Sequence, residues 1–282
     1  MPLLFALFLG LIQGITEFLP VSSSGHLSIL QNVFGMDSTT QNHLFFDALL
    51  HLGTLIAVLV LYRKDVRSIL SACAKLISGR NNKQNPNTDS EPDAGKYIRL
   101  LMLIVVATIP LLVIVFVRKY IEILFYNTAF IGFALIITGG LLYISDKLVP
   151  GRKTERTAKL KDSFIVGLVQ AIAVIPGLSR SGCTITAGLF RGFDREFAVK
   201  FSFLLSVPAI LGANILEFIN AFKTKIDWSS VPSYLAGAVV AAVSGFFAIK
   251  IVRQIVSKGK FGRFAYYCWT VGIIALIASI FI

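Results

Sequence analysis

The sequence predicts an all-α polytopic membrane protein, with six transmembrane helices plus two re-entrant helix-loop-helix segments in an inverted repeat. Three observations carry this. The 282 residues are 55% hydrophobic and only 15% charged, with a mean hydropathy of +0.76, too apolar for a soluble domain of this size. A stretch near the start of the chain returns in its second half. The positive charges gather in alternate loops between apolar runs.

The repeat is Gly10–His26, GLIQGITEFLPVSSSGH, against Gly167–Cys183, GLVQAIAVIPGLSRSGC. The two align without a gap, and Gly10/Gly167, Leu11/Leu168, Gln13/Gln170, Ile15/Ile172, Ser22/Ser179, Ser24/Ser181 and Gly25/Gly182 are identical pairs. Chance gives roughly one match in such a window at average residue usage. The differences are chemical. The first copy carries Glu17 and His26 where the second has Val174 and Cys183, and the second has Arg180 where the first has Ser23. One copy supplies an acid and an imidazole, the other a guanidinium, which points to one site shared between the halves.

Six segments are long enough to span: about Leu44–Tyr62, Leu100–Val117, Thr128–Ser145, Phe201–Ile219, Val231–Ile249 and Ala265–Ile282. Two further apolar runs, Leu3–Leu19 and Phe164–Ile175, are shorter and end in Pro and a Gly/Ser turn. Irregular backbone at membrane depth is tolerated only inside protein or against a wet cavity. The opening segment lacks a basic start and is interrupted by Glu17, so it is not expected to be a signal peptide.

Charge sets the orientation. Arg63–Arg99, Lys147–Lys161, Arg191–Lys200 and Lys250–Arg263 hold 22 Lys/Arg, whereas the other two loops hold only Arg118, Lys119, Lys223 and Lys225. The first four loops are therefore cytoplasmic and both termini lie outside. Three spans follow each broken segment; three is odd, so the second half is inverted. The expected organisation is a single membrane domain over 1–282. Repeat one is 1–145 with its re-entrant part at about 3–40, the cytoplasmic linker is 146–162, and repeat two is 163–282 with its re-entrant part at about 163–190. Inverted repeats place sites near the midplane, where broken helices meet. The net charge of +12 is read as topology, not as nucleic-acid binding. The polar segment Arg80–Gly95 is read as a flexible cytoplasmic loop. Cys73, Cys183 and Cys268 show no metal or redox spacing.

Ionisable groups inside a membrane are functional candidates; here they are Glu17, His26, Asp47, His51 and Arg180. Gln13 and Glu17 share a helix face. Glu17 suits a general base, a partner for an imidazolium, or a divalent-cation ligand. Ser22, Ser23 and Ser24 precede a helix whose free N–H groups attract phosphate, and a serine near His26 reads as an activated nucleophile. Arg180 offers a rigid fork matched to phosphate oxygens, flanked by the hydroxyls of Ser179, Ser181, Thr184 and Thr186. Asp47 and His51, again four apart, are placed behind the site as orienting residues. A plain capping turn and an Arg–Glu structural pair are the competing readings of these motifs.

Gln13-x-x-x-Glu17, Pro20-Val21-Ser22-Ser23-Ser24-Gly25-His26, Phe46-Asp47-x-x-x-His51-x-Gly53 and Pro176-Gly177-Leu178-Ser179-Arg180-Ser181-Gly182-Cys183-Thr184 resemble the signature motifs of the bacterial undecaprenyl-diphosphatases, the bacitracin-resistance family. The likeness covers essentially the whole chain. It implies an enzyme of the bacterial inner membrane that hydrolyses a polyprenyl diphosphate lipid to the monophosphate and so recycles the carrier of peptidoglycan synthesis. It implies active-site roles for Glu17, Ser22, Ser23, His26, Ser179, Arg180 and Thr184. Together with the chemistry read above, Glu17, Ser23, His26 and Arg180 are the expected catalytic residues, and Gln13, Ser22, Ser24, Ser179, Ser181 and Thr184 the expected substrate-binding ones. The family allows Glu or Gln at the first motif position; this chain has Gln13, so a two-carboxylate metal site is not available there. The expected cofactor is at most a divalent cation, Mg2+ or Ca2+, with Glu17 as its protein ligand, and no organic cofactor. Either Ser23 or a water attacks the terminal phosphorus, and His26, oriented by Glu17, is the expected proton carrier, in a pocket open to the outer face. A lipid flippase or anion carrier that binds phosphate without cleaving it is the alternative.

Overall fold

The computed structural model describes residues 2–33, 41–77, 94–149, 151–221 and 228–281. Among them the order is helical throughout, apart from one isolated bridge between Lys153 and Phe193. The segment read as a flexible loop, Arg80–Gly95, lies outside the described residues except for its last two, which begin a helix.

The first broken segment forms α1 (Leu3–Phe18) and α2 (Ser23–Val33), and its repeat forms α8 (Leu160–Ile172) and α9 (Arg180–Phe190). Pro20 and Pro176, which cannot donate to a helix ladder, sit in the two turns. Between the hairpins run α3 (Gln41–Leu61), α4 (Arg63–Ile77), α5 (Ala94–Thr108), α6 (Leu112–Leu124) and α7 (Thr128–Ser145). After them come α10 (Arg195–Ala221), α11 (Val231–Ser257) and α12 (Phe264–Ala278).

Five helical stretches are long and apolar enough to cross a membrane, or six if the bent pair α3–α4 counts as one span. The structure therefore carries a multi-pass membrane fold, and α7 has the bounds read from the sequence. Other boundaries differ: α10 already starts at Arg195, and α11 runs on to Ser257, so Lys250 and Arg253 stand on a helix. The span expected over Leu44–Tyr62 does not stop: after an 81° bend the chain continues as α4. The bend falls where Arg63, Lys64 and Asp65 end the apolar run, and α4 lays Val66 and Ile69 on the main core. The span expected over Leu100–Val117 extends to Leu124, through a 3-10 turn at Ile109–Leu111 imposed by Pro110. Arg118 and Lys119, expected in a loop, thus stand on α6. There Arg118 pairs with Glu122 one turn on and with Glu217 of α10, which satisfies the cation without a loop.

The packing partners of the two hairpins correspond. α1 lies along α11 and α8 along α5, while α7 and α12 pack on each other. Two aligned glycines permit the first two contacts. A Cβ on Gly10 would lie 2.2 Å from the Gly237 carbonyl oxygen, and one on Gly167 would lie 2.2 Å from that of Ala107. Small residues let apolar helices approach closely where lipid offers no hydrophobic drive. α7 and α12 meet at Gly132 and Gly272, each facing the other's carbonyl. Thus the tips of both hairpins are brought against α7 and against one another.

Candidate active site

The second turn is fixed by α7. Thr138 Oγ1 donates to the Gly177 carbonyl (3.1 Å) and accepts the Ser179 N–H (3.2 Å). Gly177 has φ +89°, and a Cβ there would sit 2.6 Å from the Ile131 carbonyl oxygen. Only glycine meets both demands. Ser179 then caps α9 by accepting the Gly182 N–H at 3.1 Å, and Arg180 leaves from the first position of that helix. The first turn is built alike. Ser22, a non-glycine residue at φ 69°, accepts the Gly25 N–H at 3.2 Å and opens α2. Ser181 Oγ donates to the Leu19 carbonyl at 3.3 Å, tying the two turns together.

Glu17 is where the halves meet. It is 7% exposed, and both its oxygens are occupied. Arg180 Nη2 lies 2.5 Å from Oε1. Oε2 accepts from the Ser23 hydroxyl at 2.5 Å and from Gln13 Nε2 at 3.0 Å. His51 Nδ1 is 3.5 Å from Oε2 and 2.9 Å from Gln13 Nε2. An amide nitrogen only donates, so Gln13 Nε2 serves both Glu17 Oε2 and His51 Nδ1. Glu17, Ser23, Arg180, Gln13 and His51 thus form one cluster drawn from α1, α2, α3 and α9. His51, placed behind the site from its spacing, touches the central pair directly.

Other expected residues go elsewhere. Glu17 does not orient His26: it binds Ser23 and Arg180, because the left-handed Ser22 starts α2 with Ser23 facing α1. His26 instead bonds the Ser22 carbonyl through Nδ1 (2.7 Å) and the Tyr267 phenol through Nε2 (2.8 Å). Asp47 does not accompany His51 into the cluster but sits 3.4 Å from Gln31 on α2. Ser22, Ser179 and Ser181 are buried in the turns they hold. Ser24 Oγ lies 3.4 Å from Ser22 Oγ. Thr184 donates to the Arg180 carbonyl at 2.8 Å and lies 2.6 Å from Ser202 Oγ. Thr138 and Tyr267 belong to the site's frame and carry no sequence signal beyond a threonine and a tyrosine in apolar spans.

Two buried polar atoms in the cluster, Arg180 Nη1 and Gln13 Oε1, have no hydrogen-bond partner among the described residues. Buried polar groups are nearly always paired; a guanidinium donor beside a hydroxyl and a carboxylate is fitted to receive an oxyanion. The described residues contain no group of three or more His, Cys, Asp or Glu able to hold a metal. With both Glu17 oxygens engaged, Gln13 Oε1 is the open hard oxygen of this pair among the described residues.

The family profile described as bacitracin resistance protein BacA matches residues 6–274. The undecaprenyl-diphosphatase of Methanobrevibacter smithii is 42% identical, with 99% of each chain covered. That of Halothermothrix orenii is 41% identical over 98% of each, and that of Alkaliphilus metalliredigens 39% identical over 98% of each.

Proposed function

The chain belongs to the bacitracin-resistance family BacA, and on that premise we propose how its site works. It is an integral membrane phosphatase that hydrolyses undecaprenyl diphosphate to undecaprenyl phosphate and inorganic phosphate, recycling the lipid carrier of peptidoglycan synthesis and conferring bacitracin resistance. The observation that carries the mechanism is the meeting of Ser23, Glu17 and Arg180 at the tips of two hairpins far apart in sequence.

Phosphoryl transfer asks for positioning and charge stabilisation. Arg180 Nη1 takes an oxygen of the terminal phosphate while Nη2 stays near Glu17. Ser23 Oγ attacks the terminal phosphorus, its proton passes to Glu17 Oε2, and the bond from that phosphorus to the bridging oxygen breaks, releasing the lipid monophosphate. Water then attacks the phosphoserine. His26 takes one proton of that water and passes it to solvent, Glu17 returns its proton to Ser23, and inorganic phosphate leaves. A divalent cation carried by the diphosphate would neutralise charge on the substrate, with Gln13 Oε1 as the open protein oxygen. The buried hydroxyls of Ser22, Ser179, Ser181 and Thr184 hold the turns that aim these groups.

The hairpins α1–α2 and α8–α9 are re-entrant, the first from outside and the second from the cytoplasm, with six spans, outside termini and a pocket open to the outer face. The matched glycine contacts of α1 and α8 and the Gly132/Gly272 crossing support an inverted duplication; the charge distribution supports the orientation. The decisive assay is phosphate release from a long-chain prenyl diphosphate by purified protein in detergent. Stoichiometric monophosphate and phosphate are expected; lipid that is bound but never cleaved would favour a transporter instead.

A further inference from the structure

Among the described residues the His26 ring hydrogen-bonds two groups, and neither is a carboxylate. Nδ1 lies 2.7 Å from the Ser22 carbonyl oxygen. A carbonyl only accepts, so Nδ1 carries the hydrogen and Nε2 is the basic nitrogen of the neutral ring. Nε2 lies 2.8 Å from the phenol oxygen of Tyr267 on α12. The two rings are also stacked, with planes 9° apart and centroids at 5.6 Å. Tyr267 is 45% exposed, so its ring is not filling the core. The hydrogen bond and the near-parallel stack together fix the imidazole in both direction and plane.

A phenol hydroxyl has a property that a carboxylate or an amide nitrogen lacks. It donates to the neutral imidazole and, by turning its O–H, accepts from the imidazolium. The Ser22 carbonyl accepts Nδ1–H in both states. His26 is thereby housed so that it keeps two partners whichever charge it bears. We propose that Tyr267 is a positioning residue for the phosphatase reaction: it holds His26 in one tautomer and accepts from Nε2–H once the ring has taken a proton. This rests on the phosphatase reading given above.

The surroundings bear on the sign of the effect. The elements against α2 bring Glu17 (α1), Asp47 (α3), which takes Gln31, Tyr143 (α7), and Tyr266, Tyr267 and Cys268 (α12) as ionisable groups. Arg180 on α9 stands beside the same turns, and Cys268 on α12 donates to the Pro20 carbonyl at 3.6 Å. Tyr143 faces Trp269 and Lys147, and Glu17 is paired with Arg180. Among these groups, Tyr267 alone bonds the imidazole.

Tyr267→Phe keeps the ring and removes only the hydroxyl. In full-length protein assayed on a long-chain prenyl diphosphate, kcat is expected to fall about tenfold, the effect of a hydrogen bond to a charged group, with KM nearly unchanged. The limb of the kcat–pH profile due to His26 is expected to move to lower pH, because the imidazolium loses its acceptor. A second readout needs no turnover: modification of His26 by diethyl pyrocarbonate, located by mass spectrometry, is expected to speed up as Nε2 is released. Its pH midpoint is expected to move in the same direction. Tyr267→Gln, which restores a donor and an acceptor without the ring, is expected to recover part of the activity lost in Tyr267→Leu. Wild-type kcat and pH profile in Tyr267→Phe would overturn the proposal, even if the modification rate changed. So would a Tyr267→Gln variant no better than Tyr267→Leu. If the wild-type protein itself releases no phosphate, the phosphatase reading falls instead.

Discussion

Arg180 and Glu17 stand at opposite ends of the duplication and form an ion pair at 2.5 Å, with side chains 17% and 6% exposed. Neither hairpin alone completes this pair. A charge left without its partner at such burial is costly, whereas removing both is much less so. Glu17→Ala and Arg180→Ala are each expected to lower the melting temperature in detergent, by an amount equivalent to about 3 kcal/mol. The double variant is expected to lie well above the sum of the two. Additive losses would show that the pair contributes nothing as a pair.

Activity separates the charge of Arg180 from its shape. Arg180→Lys keeps a cation on Glu17 but loses the second donor, the one with no partner among the described residues. An oxyanion contact contributes about 10²–10³ in rate, and a loss of kcat of that order is expected. Near-normal turnover would mean that a point charge suffices.

Ser23 donates to Glu17 at 2.5 Å, so a nucleophile and its proton acceptor are already in contact. Ser23→Ala is expected to abolish turnover, and rapid quenching of the wild type to trap phosphate on Ser23. Measurable turnover in Ser23→Ala without any trapped phosphoserine would assign the attack to water.

The helical hairpins were legible because Pro, Gly and Ser interrupt apolar runs at matched places, and α7 because its run is uniform and uncharged. Glu17, Ser23 and Arg180 were legible as polar groups that an apolar environment makes expensive. Their pairing was not. Whether Glu17 reaches Ser23 or His26 depends on the left-handed Ser22, a backbone choice that a serine does not announce. Asp47 and His51 share a helical spacing, yet only His51 reaches the cluster, since Gln31 on α2 takes Asp47. Tyr267 reads from sequence like any aromatic in a span, and α4 stayed hidden because a charged amphipathic helix resembles a loop in a hydropathy profile.

The matched glycines give a packing test. A methyl group on Gly10 or Gly167 would meet a backbone carbonyl at 2.2 Å, while one on Gly140 or Gly212 meets nothing within 4 Å. Gly10→Ala and Gly167→Ala are each expected to cost about 1–3 kcal/mol, the range for overpacking, seen as lower melting temperature and yield. Gly140→Ala and Gly212→Ala serve as controls expected to match the wild type. Equal behaviour of all four would remove close helix approach as the reason for the repeated glycine.

Asp162, at the start of α8, accepts from Lys153 Nζ (2.9 Å), Arg191 (2.6 Å) and the Lys159 N–H (3.0 Å). Its burial would raise the carboxyl, but Lys153, the Lys159 N–H and Arg191 outweigh that and hold it below the usual carboxylate range. A depressed folded-state value stabilises above the unfolded value, about 3.9, and the gain is lost as pH falls through the folded one. Asp162→Asn is therefore expected to melt well below the wild type at pH 7, with the gap closing as pH drops below about 4. A gap that stays constant down to pH 3 would show that the charge of Asp162 is not what clasps α8 to α9.

Orientation is tested on the two kinds of loop. The linker after α7 belongs to the Lys/Arg-rich set, and the turn between α6 and α7 to the poor one. Arg152 is exposed in the first and Tyr126 in the second. With Cys73, Cys183 and Cys268 replaced by alanine, Tyr126→Cys is expected to react with an impermeant maleimide on intact cells. Arg152→Cys is expected to react only after the membrane is opened. The reverse pattern would invert the chain and turn the pocket toward the cytoplasm. Labelling of both from outside would put the α6–α7 turn and the linker on one side. An even number of crossings would then separate them, and α7 would no longer be a single span, which the inverted repeat requires.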